Sequence, residues 1–444
     1  MEDILNIIPY NNRYTKSYLS LAKLISDDYH VEEAYEAKSI SNFLFYKEYG
    51  YKLDNSITYG RLDSENLDIH TENTIYRAIM YNDLERFISF TEIEDFDKDQ
   101  TLNSSLYPDS YEGYSLLELC CYHGAVDCFK FLRTKFSSEI TETCLRFSFL
   151  GGNHEIMSEC LKYQTPNEKC MEYAIISHNI DFVTFLMNEY NLEIDLDYCG
   201  WYCNLESFFV YFDQTNDIDE CFINSAMFNI PSLCEYFLSN GININEKDNS
   251  GKTALHNAAR YNCKETAELL ISHGANINEK DQEGETALHI AVKYNCKEMA
   301  ELLISHGINI NEKDINGQNA LHCAAWNNRK ETAELLISHG ININEKDNNG
   351  KTALHCAAWN NRKETAELLI SHGININEKD NNGKTALHYA AWNNRKETAE
   401  LLISHGININ EKDNNGKTAL DIATSNIKSL ISHSVNINEQ NIDH

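Results

Sequence analysis

At 444 residues the chain is long enough for two or three ordinary domains or for one extended array. Hydrophobic residues at 42% and charged residues at 24% exclude wholesale disorder, despite a mean hydropathy of -0.48. A formal charge of -31 works against sequence-independent binding to nucleic acid or to an anionic membrane, and favours a partner with a basic surface.

The first residues, "MEDILNIIPYNNRY", lack the basic segment and the long apolar run of a signal peptide. Nowhere do roughly eighteen apolar residues follow one another, so no membrane insertion and a soluble, cytoplasmic protein are expected. The 14 cysteines are scattered without the density of a small secreted scaffold, which predicts reduced thiols. Only 4 prolines suit a chain that is mostly helix.

Residues 1–72 carry helical patches such as "YLSLAKLI" and "SISNFLFYKEY" but no repeat that can be phased. They are either a helical amino-terminal cap or the remnant of a longer segment. Between 73 and 216 a loose pattern emerges, in which a Gly or Asn separates two helical stretches and a hydrophobic pair or triplet follows about seven residues on. The markers are Asn82, Gly124, Gly152, Asn179 and Asn204, continued by Asn229. Most spacings lie between 25 and 28, with one step of 42 that holds the polar stretch "EDFDKDQTLNSSLYPDS". This predicts degenerate helix pairs with abbreviated connections.

From 217 to 444 the pattern becomes strict. Gly251, Gly284, Gly317, Gly350, Gly383 and Gly416 are each 33 residues apart, each followed by a variant of K-T-A-L-H. In the copy at 352 to 373, Thr352 is an N-cap and Ala353 the first helical residue, while Leu354, Ala357 and Ala358 give a small apolar face. Asn361 stands where the chain must turn back through a left-handed conformation. A second helix, "KETAELLISH", places Ala366, Leu369 and Ile370 on one face, and Gly373 ends it. "ININEKDNNG" then predicts an extended, alternating finger closing in an Asn-Gly turn. At the far end Asp421 replaces the histidine and the unit is five residues short, a terminal cap or the decay of a repeat no longer maintained.

With its 33-residue period and its T-x-L-H-x-A signature, this segment resembles ankyrin repeats. The resemblance implies an all-α ankyrin-repeat solenoid of stacked helix-turn-helix pairs with short β-hairpin or turn fingers. The amino-terminal half, through "YSLLELCCYHGAVDCFKFL" and "EYAIISHNIDFVTFLMNEYN", resembles the domain of unknown function that precedes ankyrin arrays in the large ankyrin families of trichomonad protozoa. That domain has no assigned activity, so the resemblance brings none.

The recurring histidines invite a metal or catalytic reading. His256, His289, His322, His355 and His388 each sit three residues after the cap, where an imidazole can bond the cap side chain. His273, His306, His339, His372 and His405 precede the C-terminal glycine, where the helix dipole favours a cation. Stacking would space equivalent residues about 10 Å apart, too far for shared metal ligation. "NNGKT" lacks the earlier glycine of a phosphate-binding loop, with Glu345, Glu378 and Glu411 in its place. "NHEIM" lacks a second histidine, and Cys199 with Cys203 has no partner pair. No enzyme activity, cofactor or metal is expected.

Function should lie at positions that the repeat does not need for itself. These are the residues after each first-helix histidine (Asn257, Ile290, Cys323, Cys356, Tyr389), the first-helix ends, and the finger tips Asn249, Gln282, Ile315, Asn348 and Asn381. At the helix ends stand Arg260-Tyr261, Lys293-Tyr294, Trp326, Trp359 and Trp392. In ankyrin repeats such positions line the concave groove, so the resemblance implies a monomeric scaffold that holds a protein partner with Arg260, Tyr261, Lys293, Tyr294, Trp326, Trp359, Trp392 and Tyr389. Because "AAWNNRKETAELLISHG" is identical in three copies, the tryptophans are either selected for contact or inherited by duplication. The alternative function is an amino-terminal enzymatic or ligand-binding domain targeted by the array.

Overall fold

A computed structural model describes residues 1–29, 37–53, 73–108 and 113–424, with isolated positions at 34, 62, 69 and 71. They form two compact units, Met1–Asn216 and Asp217–His444.

In the first unit, helices Glu2–Asn6, Thr15–Tyr29 and Ser39–Tyr49 pack around Leu5, Ile8, Leu19, Ala22 and Phe45. Five helix pairs follow: Ile75–Met80 with Leu84–Thr91, Leu116–His123 with Val126–Phe136, Glu142–Gly151 with His154–Cys160, Glu168–Ile176 with Ile180–Tyr190, and Leu196–Trp201 with Leu205–Thr215. The long polar step holds a two-residue antiparallel pair, Thr101–Leu102 against Tyr114–Ser115.

Asn82, Gly124, Gly152 and Asn229 turn the chain through positive φ as expected. At two joints the expectation is corrected: the left-handed residues are His178 (φ 53°) and Cys203 (φ 51°), not Asn179 and Asn204. The reason is that asparagine is worth more as a cap. Asn204 Oδ1 accepts from Ser207 N at 3.0 Å, and its amide donates to Ile175 O of the preceding pair at 2.8 Å. Asn179 likewise caps the amide of Phe182.

The second unit opens with Ile218–Ser225 and Pro231–Ser239 and continues as the regular array. First helices run Ala254–Arg260, Ala287–Lys293, Ala320–Asn327, Ala353–Trp359 and Ala386–Trp392. Second helices run Lys264–Ser272, Lys297–Ser305, Lys330–Ser338, Lys363–Ser371 and Lys396–Ser404. Ala366 and Leu369 are fully buried, but Thr365 and Leu368 complete the buried face where Ile370 was expected. The left-handed asparagines also bind forward. Asn361 (φ 59°) accepts from Thr398 Oγ1 at 3.0 Å and donates to Glu397 at 2.8 Å, two bonds that glycine could not make.

The fingers are turns, not strands, among the described residues of the array. Alternate asparagines satisfy the main chain from their side chains in place of a sheet partner: Asn375 Oδ1 accepts from Asn377 N, and Asn375 N donates to Asn344 Oδ1 one repeat back at 2.8 Å. Asp380 closes the tip, accepting from Asn382 N and Lys384 N. Tip is joined to tip by Asn381 N to Asn349 O at 2.9 Å.

That close approach gives two glycines different meanings. Both Gly350 (φ 77°) and Gly373 (φ 83°) are left-handed, but a Cβ on Gly350 would lie 2.8 Å from Asn381 N, whereas on Gly373 it would meet nothing within 4 Å. Gly373→Ala is expected to cost about 1 kcal/mol of backbone strain, and Gly350→Ala clearly more, because it also pushes neighbouring fingers apart. Urea unfolding of the two variants checks this; equal losses would contradict the account.

Asp421 keeps the capping role of the histidine it replaces, accepting from Thr418 N at 2.9 Å and Thr418 Oγ1 at 2.8 Å. The shortened unit beyond it, with its reading as cap or decay, lies outside the described residues.

Candidate protein-interaction face

The face is built from the residue two places before each left-handed asparagine. Because that asparagine ends the first helix, the side chain two positions earlier leaves the stack at the helix end. Arg260, Lys293, Trp326, Trp359 and Trp392 occupy this register in consecutive repeats. Trp326 and Trp392 are 44% and 54% exposed, and Trp359 is half-buried. The finger tips Asn249, Gln282, Ile315, Asn348 and Asn381 are exposed as well.

What holds this row in place comes from the next repeat. Arg362 Nε donates to Trp326 O, and Arg395 Nε to Trp359 O, each at 3.1 Å, so the helix-end carbonyls are capped by a cation where the dipole is negative. At the head of the row the Arg260 guanidinium lies 5.4 Å from the Tyr261 ring and 5.3 Å from the Tyr294 ring. Tyr261 and Tyr294 are half-buried; Lys293 is exposed and pairs with Glu285 at 3.3 Å.

Tyr389 is a correction. It is 5% exposed, its hydroxyl donates to Asp380 at 2.6 Å, and its ring lies 5.3 Å from that of Trp359. It props Trp359 from beneath and does not itself present a contact surface. Desolvation, and next its bond to the Asp380 carboxylate, push its phenol well above the ordinary range. The other residues after the histidine are corrected with it. Asn257, Ile290, Cys323 and Cys356 are all buried between neighbouring first helices, and burial pushes the Cys356 thiol up to about 12. The position serves stacking.

The first-helix histidines do more than cap. His355 Nδ1 accepts from Thr352 N at 3.0 Å, which fixes the proton on Nε2, and Nε2 donates to Lys384 O of the next repeat at 3.1 Å. His256, His289, His322 and His388 repeat the same forward bond. The histidines before the glycines donate Nδ1 to a helix-end carbonyl, as His372 does to Leu368 O at 2.9 Å. No group of three or more potential metal ligands occurs among the described residues.

Sequence reasoning overlooked the lysines beside the row. Lys351 and Lys384 stand one residue before the cap, and each ammonium lies over a tryptophan of its own repeat: Lys351 Nζ is 5.2 Å from the Trp359 ring, and Lys384 Nζ 5.1 Å from Trp392. The signal was available, since this position varies as Lys252, Glu285, Gln318, Lys351, Lys384 and Lys417 within an otherwise constant motif.

In the first unit the same register reads Met80, Tyr122, Leu150, Ile176 and Trp201; Trp201 is 41% exposed, whereas Met80, Tyr122 and Ile176 are buried, with the chain itself packed beside them. Tyr122 Oη donates to Pro9 O at 2.8 Å and accepts from Asn12 N at 3.0 Å. The Arg13 guanidinium donates to the helix-end carbonyls of Met80 and His123. Tyr10 sets its ring edgewise to Tyr173 and Tyr202. A cavity of about 370 Å³ remains beside this segment, lined by residues that include Arg13, His123 and His178. Of its polar groups, His123 Nε2 lies 3.0 Å from Tyr107 Oη and His178 Nε2 2.9 Å from Tyr202 O, while the buried Arg13 Nε has no hydrogen-bond partner among the described residues.

Stacked helix pairs joined through left-handed turns and finger turns define an all-α ankyrin-repeat solenoid. The family model described as "Ankyrin repeats (3 copies)" matches residues 222–314, 310–380 and 375–441, and that of "Domain of unknown function (DUF3447)" matches residues 136–211. The chain thus carries a domain of unknown function followed by ankyrin repeats, a module of protein–protein interaction. Among solved structures, the crystal structure of human ASB11 ankyrin repeat domain is similar at 23% identity, covering 47% of this chain and 91% of that chain with a TM-score of 0.42. No curated protein matches. No helix among the described residues is long and apolar enough to cross a membrane.

Proposed function

We propose that the chain is a non-catalytic scaffold that binds a protein partner through the concave face of its array, with Trp326, Trp359 and Trp392 as anchors. The observation that carries this reading is the contrast between the two rows. In the first unit Met80, Tyr122 and Ile176 of this row are buried beside residues 9–13 and only its last member, Trp201, is exposed, whereas in the array the row runs on through three tryptophans, two of them about half exposed. Tryptophan and arginine are the residues most enriched among interface anchors. Arg260, Tyr261, Lys293 and Tyr294 extend the surface at one end. Exposed Ile315 and Trp326 supply its least polar repeat.

Hydrogen exchange on the full chain with a captured partner tests the placement. Protection is expected in the first-helix ends around residues 323–328, 356–361 and 389–394. Protection confined to the second helices or to the first unit would overturn it.

The alternative, a ligand site in the first unit, would use the 370 Å³ cavity. The hydrogen bonds that tie its arginine and histidines to the segment and the helix ends favour an architectural role for those groups.

A further inference from the structure

We infer that the segment held by the array is acidic, with carboxylates flanking aromatic or aliphatic side chains. This rests on the face proposed above and names the chemistry of what it holds.

The lysines of the array are partnered in two ways. Five successive finger lysines each have a glutamate of the following repeat: Lys247 with Glu279, Lys280 with Glu312, Lys313 with Glu345, Lys346 with Glu378 and Lys379 with Glu411, all between 2.5 and 2.7 Å. Lys351 and Lys384 have no such carboxylate among the described residues; their ammonium groups rest over the rings of Trp359, Trp392 and Tyr389.

The nearby carboxylates are committed to the fingers. Asp347 accepts from Asn349 N and Lys351 N, and Asp380 from Asn382 N, Lys384 N and the Tyr389 hydroxyl. Both lysines are half-buried, and a ring face satisfies an ammonium less fully than a carboxylate does, leaving outer N–H groups for an incoming anion. The row therefore alternates cation and indole: Lys351, Trp359, Lys384, Trp392.

An acidic chain with apolar side chains between its carboxylates matches that alternation, the carboxylates meeting the ammonium groups while the apolar groups cover the indoles. The charge of -31 does not forbid this, because at physiological salt fields fade over about 8 Å and the local row decides the contact. It does weigh against a phosphate backbone, whose charge is continuous. The net charge still favours a basic surface for contacts elsewhere on the chain, and the acidic preference is inferred for this face alone.

The test titrates the full chain with three probes, a random glutamate–tyrosine copolymer, a lysine–tyrosine copolymer and single-stranded oligothymidylate, following tryptophan emission. The glutamate–tyrosine polymer should bind best and weaken with salt. The double variant Lys351→Met, Lys384→Met should lose about tenfold in affinity, and the double variant Lys351→Glu, Lys384→Glu should shift preference to the lysine–tyrosine polymer, with unchanged circular dichroism in both.

Stronger binding of either other probe by the unaltered chain, no binding of any probe, or no effect of the lysine changes would overturn the inference. If binding depends on the tryptophans and not on the lysines, the face stands and its acidic preference falls. If it depends on neither, the face itself falls.

Discussion

Lowering the pH from 6.5 towards 4.5 is expected to destabilise the array by several kcal/mol before the glutamates that pair with the finger lysines are substantially protonated. Desolvation pushes the His355 imidazole down from 6.5 to about 4, and the same cause lowers His256, His289 and His322. A histidine with a depressed folded-state pKa is neutral in the native protein while its unfolded counterpart takes a proton. Its stabilisation is therefore complete above pH 6.5 and is lost as the pH falls towards the folded value.

For His355 alone the full loss is roughly 3 kcal/mol, and the other three act in the same direction. The structural cause is specific. A proton can enter only at Nδ1, where it would face the Thr352 N–H that Nδ1 now accepts, so acid removes the cap bond from inside the stack. The carboxyls of Glu279, Glu312, Glu345 and Glu378 are held below 4.5, first by their hydrogen bonds to the lysines of the preceding repeat, so their loss comes later.

Urea unfolding at pH 7, 5.5 and 4.5 should show the midpoint falling across this range. His355→Gln should unfold more easily at pH 7 and show a shallower dependence. A stability flat from pH 7 to 5, or an unchanged slope in the variant, would contradict the assignment.

Much of the array was legible because each repeat writes its local needs into its own residues. Thr352 as cap, Asn361 as left-handed turn and Gly373 as terminator follow from backbone chemistry at a single position. What lay beyond that was set by neighbours. The forward bond of His355 to Lys384 O depends on where stacking places a carbonyl 29 residues ahead, and Cys356 and Tyr389 look variable in sequence because several side chains fill the same gap between helices.

In the first unit, asparagine serves both as turn and as cap, so the pattern did not tell His178 from Asn179 or Cys203 from Asn204. Nor does any local pattern announce that residues 9–13 cover the row formed by Met80, Tyr122 and Ile176, since those contacts span up to 113 residues. At the candidate face, the tryptophans were visible as large side chains that the fold does not require. The lysines above them were hidden in a motif taken as capping alone.

The second large effect concerns those tryptophans. In the variant carrying Trp326→Ala, Trp359→Ala and Trp392→Ala together, affinity for a protein partner should fall by at least about 100-fold, because interface anchors of this type are each worth 2 kcal/mol or more and act together. Stability should fall far less. Trp326 and Trp392 are 44% and 54% exposed, and half-buried Trp359 sits on Tyr389, whose bond to Asp380 remains. Replacing Trp359 alone by Phe, which keeps a ring against Tyr389 and under Lys351, should retain most of the binding.

Partner affinity and thermal unfolding, measured side by side on the intact chain and on the triple variant, decide whether these tryptophans are anchors or packing. Binding should be lost while the melting temperature stays within a few degrees, about what a 1 kcal/mol change produces. Binding that survives would contradict the face, and a collapse of the melting temperature would show the tryptophans to be packing.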